Sequence, residues 1–331
     1  MRVLVTGATG FIGSVLCKAL CHEGHQVAAF HRPTSYTGNI TDLSLVRFTG
    51  DLTEADSVEE AVSSFRPEVI FHLGAQMTAA PTVGRIMQVN VLGTRAVLLA
   101  ALRNRVSRVV LMSSALTLGV PELFRRNNQA PVIISETRVP VVSDPPGPFA
   151  RSKYLAEMEA QSAATGGLDV VMVNPFMVIG PGDWYRRKSS ILMQLKKQPP
   201  LVMVRGGINV IPVDDAVKGL VHACRYGKSG ERYLLCGKNL TFQQFCVICG
   251  EAGGFDGPKL IYEDDRLSGF LARSGVGQNL KIECLEDNLL RYTNRFFFYD
   301  PAKSRIDLHL PPAGDVKKTI EETYHWFEVN A

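Results

Sequence analysis

A chain of 331 residues is long enough for one large domain or two modest ones, and 46% hydrophobic with 21% charged residues is an ordinary soluble composition. The net charge of +4 is small and its basic residues are scattered, which argues against nucleic acid as a partner. Seven cysteines lie mostly in apolar segments, as do Cys17, Cys21 and Cys224, which suits buried thiols in a reducing compartment and makes the cytoplasm the expected location.

The first half alternates short apolar runs with longer helical patterns. RVLVT (2–6) reads as a buried strand, and 11–23 as a helix with Ile12, Val15, Leu16, Ala19 and Leu20 on one face. HQVAAF (25–30) and LVRFTG (45–50) read as strands, 54–64 as a helix, EVIFHL (68–73) as a strand and 84–103 as a long helix. RVVLMS (108–113) is a strand, 148–164 a helix and LDVVMV (168–173) another strand. A helix at 214–226 and a strand at 231–236 complete the pattern. Strand–helix alternation with continuously apolar strands predicts an α/β fold, a Rossmann-type doubly wound parallel sheet covered on both faces. After about residue 180 the rhythm breaks, with frequent Pro and Gly. The expected organisation is a dinucleotide-binding domain of 1–180 plus about 211–236, and a smaller, discontinuous substrate-binding domain of about 181–210 plus 237–331.

The opening apolar run stops at Gly7, too short for a secretory signal, and Asn174-Pro175 interrupts the apolar stretch 168–180, so no membrane partner is expected. Cys246 and Cys249 form an isolated C-x-x-C with no second pair or histidine, which reads as two small side chains buried on a helix. No metal site is expected.

VLVTGATGFIG places Gly7, Gly10 and Gly13 directly after the first strand and at the start of a helix. Glycines at that spacing let the backbone turn tightly and approach a pyrophosphate, with Thr9, Phe11 and Ile12 completing the cradle at the helix N-terminus. An acidic residue ending the second strand would accept bonds from the adenosine ribose. Here the stretch reads AFHRPTS, with His31 and Arg32 and no carboxylate before Asp42. The Arg32 fork suits a 2′-phosphate, so NADP is expected over NAD. GDL (50–52) places Asp51 and Leu52 at a strand end facing the adenine edge.

TGATGFIG, GDLT, VNVLGT, LMSSALTLG, RSKYLAE, NPFMVIGPGD and INVIPVDDAVKG occur in an order that resembles the extended short-chain dehydrogenases/reductases, in particular the nucleotide-sugar epimerases and dihydroflavonol reductases. The ending FFFYDPAKSRIDL…IEETYHWF resembles that group as well, so the likeness spans nearly the whole chain. The resemblance implies a catalytic tyrosine four residues before a lysine, assisted by a serine after the fifth strand. The lysine ammonium lowers the phenol's pKa so that it exchanges a proton near neutral pH, and the serine orients the substrate oxygen. Ser114 fits the serine position, with Ser113 adjacent, and Lys153 fits the lysine. The tyrosine position holds Phe149, which keeps the ring and lacks the hydroxyl. By the same resemblance Leu73, Gly74 and Ala75 flank the cofactor, Asn90 stiffens the active-site helix, and Asn174, Pro175 and Phe176 lie against the nicotinamide. Substrate contacts are implied in 76–85, 115–146 and 182–212, with Tyr185, Arg186 and Arg187 as candidates beside Ser114. The helices 84–103 and 148–164 pair in a four-helix dimer interface in that family, which implies a homodimer.

Three readings of Phe149 stay open. The chain is an inactivated form of a tyrosine enzyme; or another group gives the proton, Tyr185 or a water on Ser114 rather than Tyr154, which points away; or redox chemistry has been lost. The leading expectation is an NADP-dependent reductase or dehydrogenase acting on a small-molecule ketone or secondary alcohol. The alternatives are a nucleotide-sugar epimerase or dehydratase with tightly held NAD(P), and a non-catalytic NAD(P)-binding regulator.

Overall fold

A computed structural model describes residues 1–77, 82–122, 130–138, 146–185, 190–200, 202–258, 260–262 and 292–330. In chain order they form β1 (Arg2–Thr6), α1 (Phe11–His22), β2 (Gln26–His31), β3 (Val46–Thr49), α2 (Ala55–Phe65) and β4 (Val69–His72). A long helix follows, made of α3 (Val83–Met87), a π-helical turn (Gln88–Leu92) and α4 (Gly93–Arg103). Next come β5 (Arg108–Met112), α5 (Gly147–Thr165), β6 (Val170–Pro175), β7 (Met177–Ile179) and α6 (Ile191–Lys197). The series continues with β8 (Val202–Val204), β9 (Gly206–Pro212), α7 (Val213–Tyr226), β10 (Arg232–Leu235), β11 (Lys238–Thr241) and α8 (Phe242–Gly253). It closes with β12 (Leu260–Tyr262), β13 (Arg295–Phe296), α9 (Ala302–Asp307) and α10 (Val316–Val329).

Seven strands form one parallel sheet in the order β10-β6-β5-β4-β1-β2-β3. Apart from the edge strand β3, which is mostly exposed, their side chains are largely buried on both faces, which is why β1, β4 and β6 read as continuous apolar runs. On one face Leu16 and Leu20 of α1 pack with Val217 and Leu220 of α7. On the other, Val58 and Val62 of α2 pack with Val97 and Leu98 of α4 and Ala160 of α5. The order reverses between β1 and β4, so their C-terminal ends open the crevice where such sheets bind ligands. The doubly wound parallel fold expected from the sequence is therefore present, with each predicted element displaced by at most about two residues. The largest shift is in β6, which continues through Asn174-Pro175. Pro175 cannot donate to the ladder, yet it fits because it is the last residue of the strand, opposite Leu235.

A smaller sheet, β11-β9-β13 with β7 beside β9, packs over a separate apolar cluster that includes Leu192, Ile208, Phe242, Phe245, Phe297 and Ile320. α8 opens on a capping box between Thr241 and Gln244 and buries Cys246 and Cys249, as the isolated C-x-x-C suggested. The Val83–Arg103 helix is long and apolar enough, by length and composition, to cross a membrane. Half of that stretch is buried inside the protein, Val97, Ala100 and Ala101 among it, as in a sheet-covering helix.

Candidate active site

The loop between β1 and α1 is built around its glycines. Gly7 has φ +68°, and a Cβ there would stand 2.7 Å from the Gly74 nitrogen. A Cβ on Gly13 would collide with the Gly7 carbonyl. The Gly10 N–H closes the turn onto the Gly7 carbonyl at 2.9 Å. α1 starts without a side-chain cap and without an acidic residue in its first turn, so its N-terminal amides face the crevice uncovered. Asn39 steadies the loop by donating to the Thr9 carbonyl at 2.7 Å. A turn that admits no side chains, ending on uncapped amides, fits a pyrophosphate.

β2 delivers His31 and Arg32 to the same edge of the sheet. Arg32 is exposed; its carbonyl accepts from Ser35 N at 3.0 Å and from His31 Nδ1 at 3.0 Å, and its guanidinium makes no hydrogen bond or ion pair among the described residues. Asp51 follows β3, and its carboxylate is occupied by Thr53 N and Oγ1 and by Arg85 at 2.8 Å. Burial pushes this carboxyl's pKa up, but the Thr53 bonds and the Arg85 guanidinium outweigh it and hold it below the usual range. Leu52 is buried against Gly74 and Gly93.

α5 presents Phe149, Lys153 and Glu157 at four-residue spacing, one above the other on a single face. Phe149 is 5% exposed and its ring belongs to the apolar cluster with Ala115, Leu116, Phe176 and Met177. Lys153 is 4% exposed and its Nζ donates to the Met112 carbonyl at 2.8 Å, at the C-terminal end of β5. Burial pulls the Lys153 pKa down to about 8, against the opposing pull of Glu157.

Glu157 is fully buried. Its Oε1 accepts from Ser113 Oγ at 2.5 Å, Thr117 Oγ1 at 3.0 Å and Asn174 Nδ2 at 2.6 Å, and its Oε2 faces Arg232 at 3.4 Å. This cluster ties α5 to the ends of β5, β6 and β10. It also separates the two serines. Ser113 is committed to Glu157, whereas Ser114 Oγ accepts from Leu116 N at 3.3 Å and its proton has no acceptor among the described residues. Of the two, Ser114 keeps a hydroxyl able to turn toward a substrate oxygen.

Asn90 sits in the π-helical turn, where the extra residue swings its amide inward. Its Oδ1 accepts from Gln76 N at 2.7 Å, while Nδ2 donates to Gln76 O and to Ser152 Oγ, each at 2.8 Å. Ser152 in turn donates to the Phe149 carbonyl at 2.7 Å, so Asn90 links the loop after β4 to the first turns of α5. Beneath it His72 is buried between Thr6 Oγ1 at 2.6 Å and Thr94 Oγ1 at 3.0 Å. Burial, and then the Lys153 charge, hold its pKa down to about 3. The imidazole is neutral across the physiological range.

Leu73 is buried, and Gly74 and Ala75 line the crevice opposite Gly7. Pro175 ends β6, and Phe176 stacks on Phe297 at 5.2 Å. Tyr185 lies elsewhere: it is 52% exposed and its hydroxyl accepts from Tyr36 N at 3.1 Å, beside the loop that follows β2, where Tyr36 and Trp184 rings meet at 5.0 Å. Arg186 and Arg187 lie outside the described residues. Sequence reasoning passed over His72, Thr94, Glu157 and Arg232. Glu157 carried a signal, since it stands one turn after Lys153 in RSKYLAE; His72 lay hidden within an apolar strand.

A glycine cradle at the switch point, with a serine after β5 and a lysine on α5, is matched by a family model described as the NAD dependent epimerase/dehydratase family, over residues 3–236. The chain belongs to that family. It is an extended short-chain dehydrogenase/reductase, an enzyme class that works with NAD(P). A putative dihydroflavonol 4-reductase of Synechocystis sp. is 28% identical over 98% of this chain and 94% of its own length. Sterol demethylase protein B of Methylococcus capsulatus is 28% identical over 99% and 98%. Among solved structures, gox2253 superposes with a TM-score of 0.82 at 27% identity, covering 100% of this chain and 98% of that one. The UDP-glucuronic acid 4-epimerase of Bacillus cereus, solved with NAD, has the same fold at a TM-score of 0.75 and 20% identity, over 99% of each chain.

Proposed function

We propose that this chain is an NADP-dependent reductase of the extended short-chain type, converting a small-molecule ketone to a secondary alcohol, with Phe149 where the family places its tyrosine. One observation carries this reading: a buried lysine, Lys153, is held on the Met112 carbonyl immediately before Ser113-Ser114, at the mouth of the sheet. Gly7, Thr9, Gly10, Phe11, Ile12 and Gly13 would hold the pyrophosphate. Arg32 would hold a 2′-phosphate, Asp51 and Leu52 would border the adenine, and Leu73 to Ala75 with Pro175 and Phe176 would enclose the nicotinamide end. The bound dinucleotide supplies the reducing equivalents. Lys153 grips and orients through its ammonium, Ser114 holds the substrate oxygen, and the apolar wall of Phe149, Phe176 and Met177 excludes water. Reductases among the similar proteins support this over sugar chemistry: beside the dihydroflavonol reductase, a 2-alkyl-3-oxoalkanoate reductase of Stenotrophomonas maltophilia is 30% identical over 64% of this chain.

The segments 181–210 and 237–331 are read as the substrate lobe. Leu92, Leu99 and Leu102 form an exposed apolar stripe on the long helix, with Met158 exposed on α5, and support a homodimer through those helices.

The test assays NADPH oxidation over a ketone panel for the wild-type chain and for Phe149→Tyr. Turnover by either form supports the reductase. Sugar isomerisation with cofactor retained and no net NADPH oxidation would instead identify an epimerase. Dinucleotide binding without turnover by either form would identify a regulator.

A further inference from the structure

We propose that Lys153 itself gives the proton that the absent phenol cannot, making its ammonium the general acid of the reduction. This rests on the reductase reading above. Two features of the site point to it. Phe149 seals its own position with carbon, so no proton can come from there, and Tyr185, the tyrosine expected as a substitute, is turned onto Tyr36. Lys153 stands one turn further along the same face of α5, with one of its three N–H bonds directed at Met112 O and no other hydrogen bond from its ammonium among the described residues. Two N–H bonds therefore remain for ligand oxygens at the end of β5, beside Ser114.

An ordinary lysine is too weak an acid for this work at neutral pH; burial of this one brings its pKa down to about 8, close to the operating range. The charged and titratable groups facing it are Glu157 from α5 itself, which is neutralised by Arg232 of β10, and the neutral His72 of β4. Neither Glu157 nor His72 competes as the acid. Glu157 Oε1 already accepts three hydrogen bonds, and the His72 ring lies between two threonine hydroxyls. The step balances. As the carbonyl carbon takes up a hydride equivalent from the dinucleotide, an Nζ–H bond of Lys153 breaks and an O–H bond forms on the substrate oxygen. The nitrogen keeps the electron pair as a neutral amine, which recovers a proton from solvent after product leaves.

The deciding variant is Lys153→Arg, which retains a cation for binding but cannot release a proton near neutrality. With a ketone that the wild-type chain reduces, turnover is expected to fall about 100-fold or more, in the range that a general acid contributes. NADPH affinity should stay within about threefold. In the Phe149→Tyr background the same Lys153→Arg change is expected to cost at least tenfold less than in the wild-type chain, because the phenol then supplies the proton and arginine the charge. A readout that needs no cofactor accompanies it: reductive methylation of the free protein, followed at Lys153 by mass spectrometry across pH, should show half-reaction near pH 8. Unchanged turnover in Lys153→Arg, or titration of Lys153 at the ordinary lysine value, would overturn the inference while leaving the reductase reading intact. Absence of ketone turnover by the wild-type chain, with turnover appearing only in Phe149→Tyr, would also overturn it, since Lys153 is present in both. No ketone turnover in either form would remove the reductase reading, and the inference with it.

Discussion

The protonation of His72 is fixed by its neighbours, and a pH dependence of stability follows. Thr94 has one hydroxyl proton and gives it to the Asn90 carbonyl at 2.7 Å, so it must accept from His72 Nε2–H. Thr6 Oγ1 accepts the Gly74 N–H at 3.2 Å and directs its own proton to the bare Nδ1. A second ring proton would therefore meet the Thr6 hydroxyl and force it to reverse. The folded pKa of about 3 lies below the ordinary 6.5, so between these values the unfolded chain binds more protons than the folded one. The stability is fully present above pH 6.5 and is lost as pH falls toward 3. At pH 5 the loss is about 2 kcal/mol, and over the whole window about 5 kcal/mol. Urea unfolding of the wild-type chain and of His72→Gln, each from pH 8 to pH 5, isolates the contribution. The wild type should lose about 2 kcal/mol more than the variant over that span. Parallel stability curves for the two proteins would refute the assignment.

Glu157→Ala leaves Arg232, Ser113, Thr117 and Asn174 without their common partner and should cost about 3–5 kcal/mol, seen as a melting temperature lowered by roughly 4–7 °C. A loss below about 1 kcal/mol would show that water or rearrangement replaces the carboxylate. Gly13→Ala drives a methyl group into the Gly7 carbonyl. Its far-UV spectrum should be unchanged, with NADPH affinity reduced about 100-fold, roughly 3 kcal/mol by calorimetry; retained affinity would mean that the loop is not the pyrophosphate cradle. Arg32→Glu removes one charge-assisted contact and should weaken NADPH about 10- to 100-fold with little change for NADH. Equal effects on both cofactors would remove Arg32 as the reader of the 2′-phosphate.

The sheet was legible in the sequence because its inner strands are buried on both faces. Runs such as VLV in β1 and VIF in β4 leave little else for those residues to do, and the glycine loop declares itself by spacing in a strand-to-helix context. The strand end at Asn174-Pro175 was less visible, since proline argues against a strand until its terminal, non-donating place is known. The buried polar cluster was harder still. Glu157, Arg232, Ser113, Thr117 and Asn174 are brought together by four different segments, and periodicity within any one of them says nothing about the others. Tyr185 shows the opposite failure. Its loop was identified, but the side-chain direction depends on Tyr36 and Trp184, which no local pattern connects.

The two buried charges of α5 differ in how they are satisfied, and the difference bears on what the site is for. Glu157 is far better supplied within the chain: one oxygen takes three donors, and the other, without a hydrogen bond, faces a guanidinium at 3.4 Å. On Oε1 its solvation has been replaced, and the carboxylate locks three strand ends together. Lys153 has one carbonyl acceptor for a tripodal donor, and burial works against its charge. A methionine at that position would pack as well and carry no such penalty. Phe149, one turn earlier, is an apolar neighbour that offers the ammonium nothing. An ammonium left short of acceptors in a crevice flanked by the glycine loop is balanced when a ligand brings acceptor oxygens to it, as a nicotinamide ribose and a substrate carbonyl would. The missing phenol thus raises the demand on Lys153: with no partner one turn back on its own helix, its free N–H bonds are left to bound molecules.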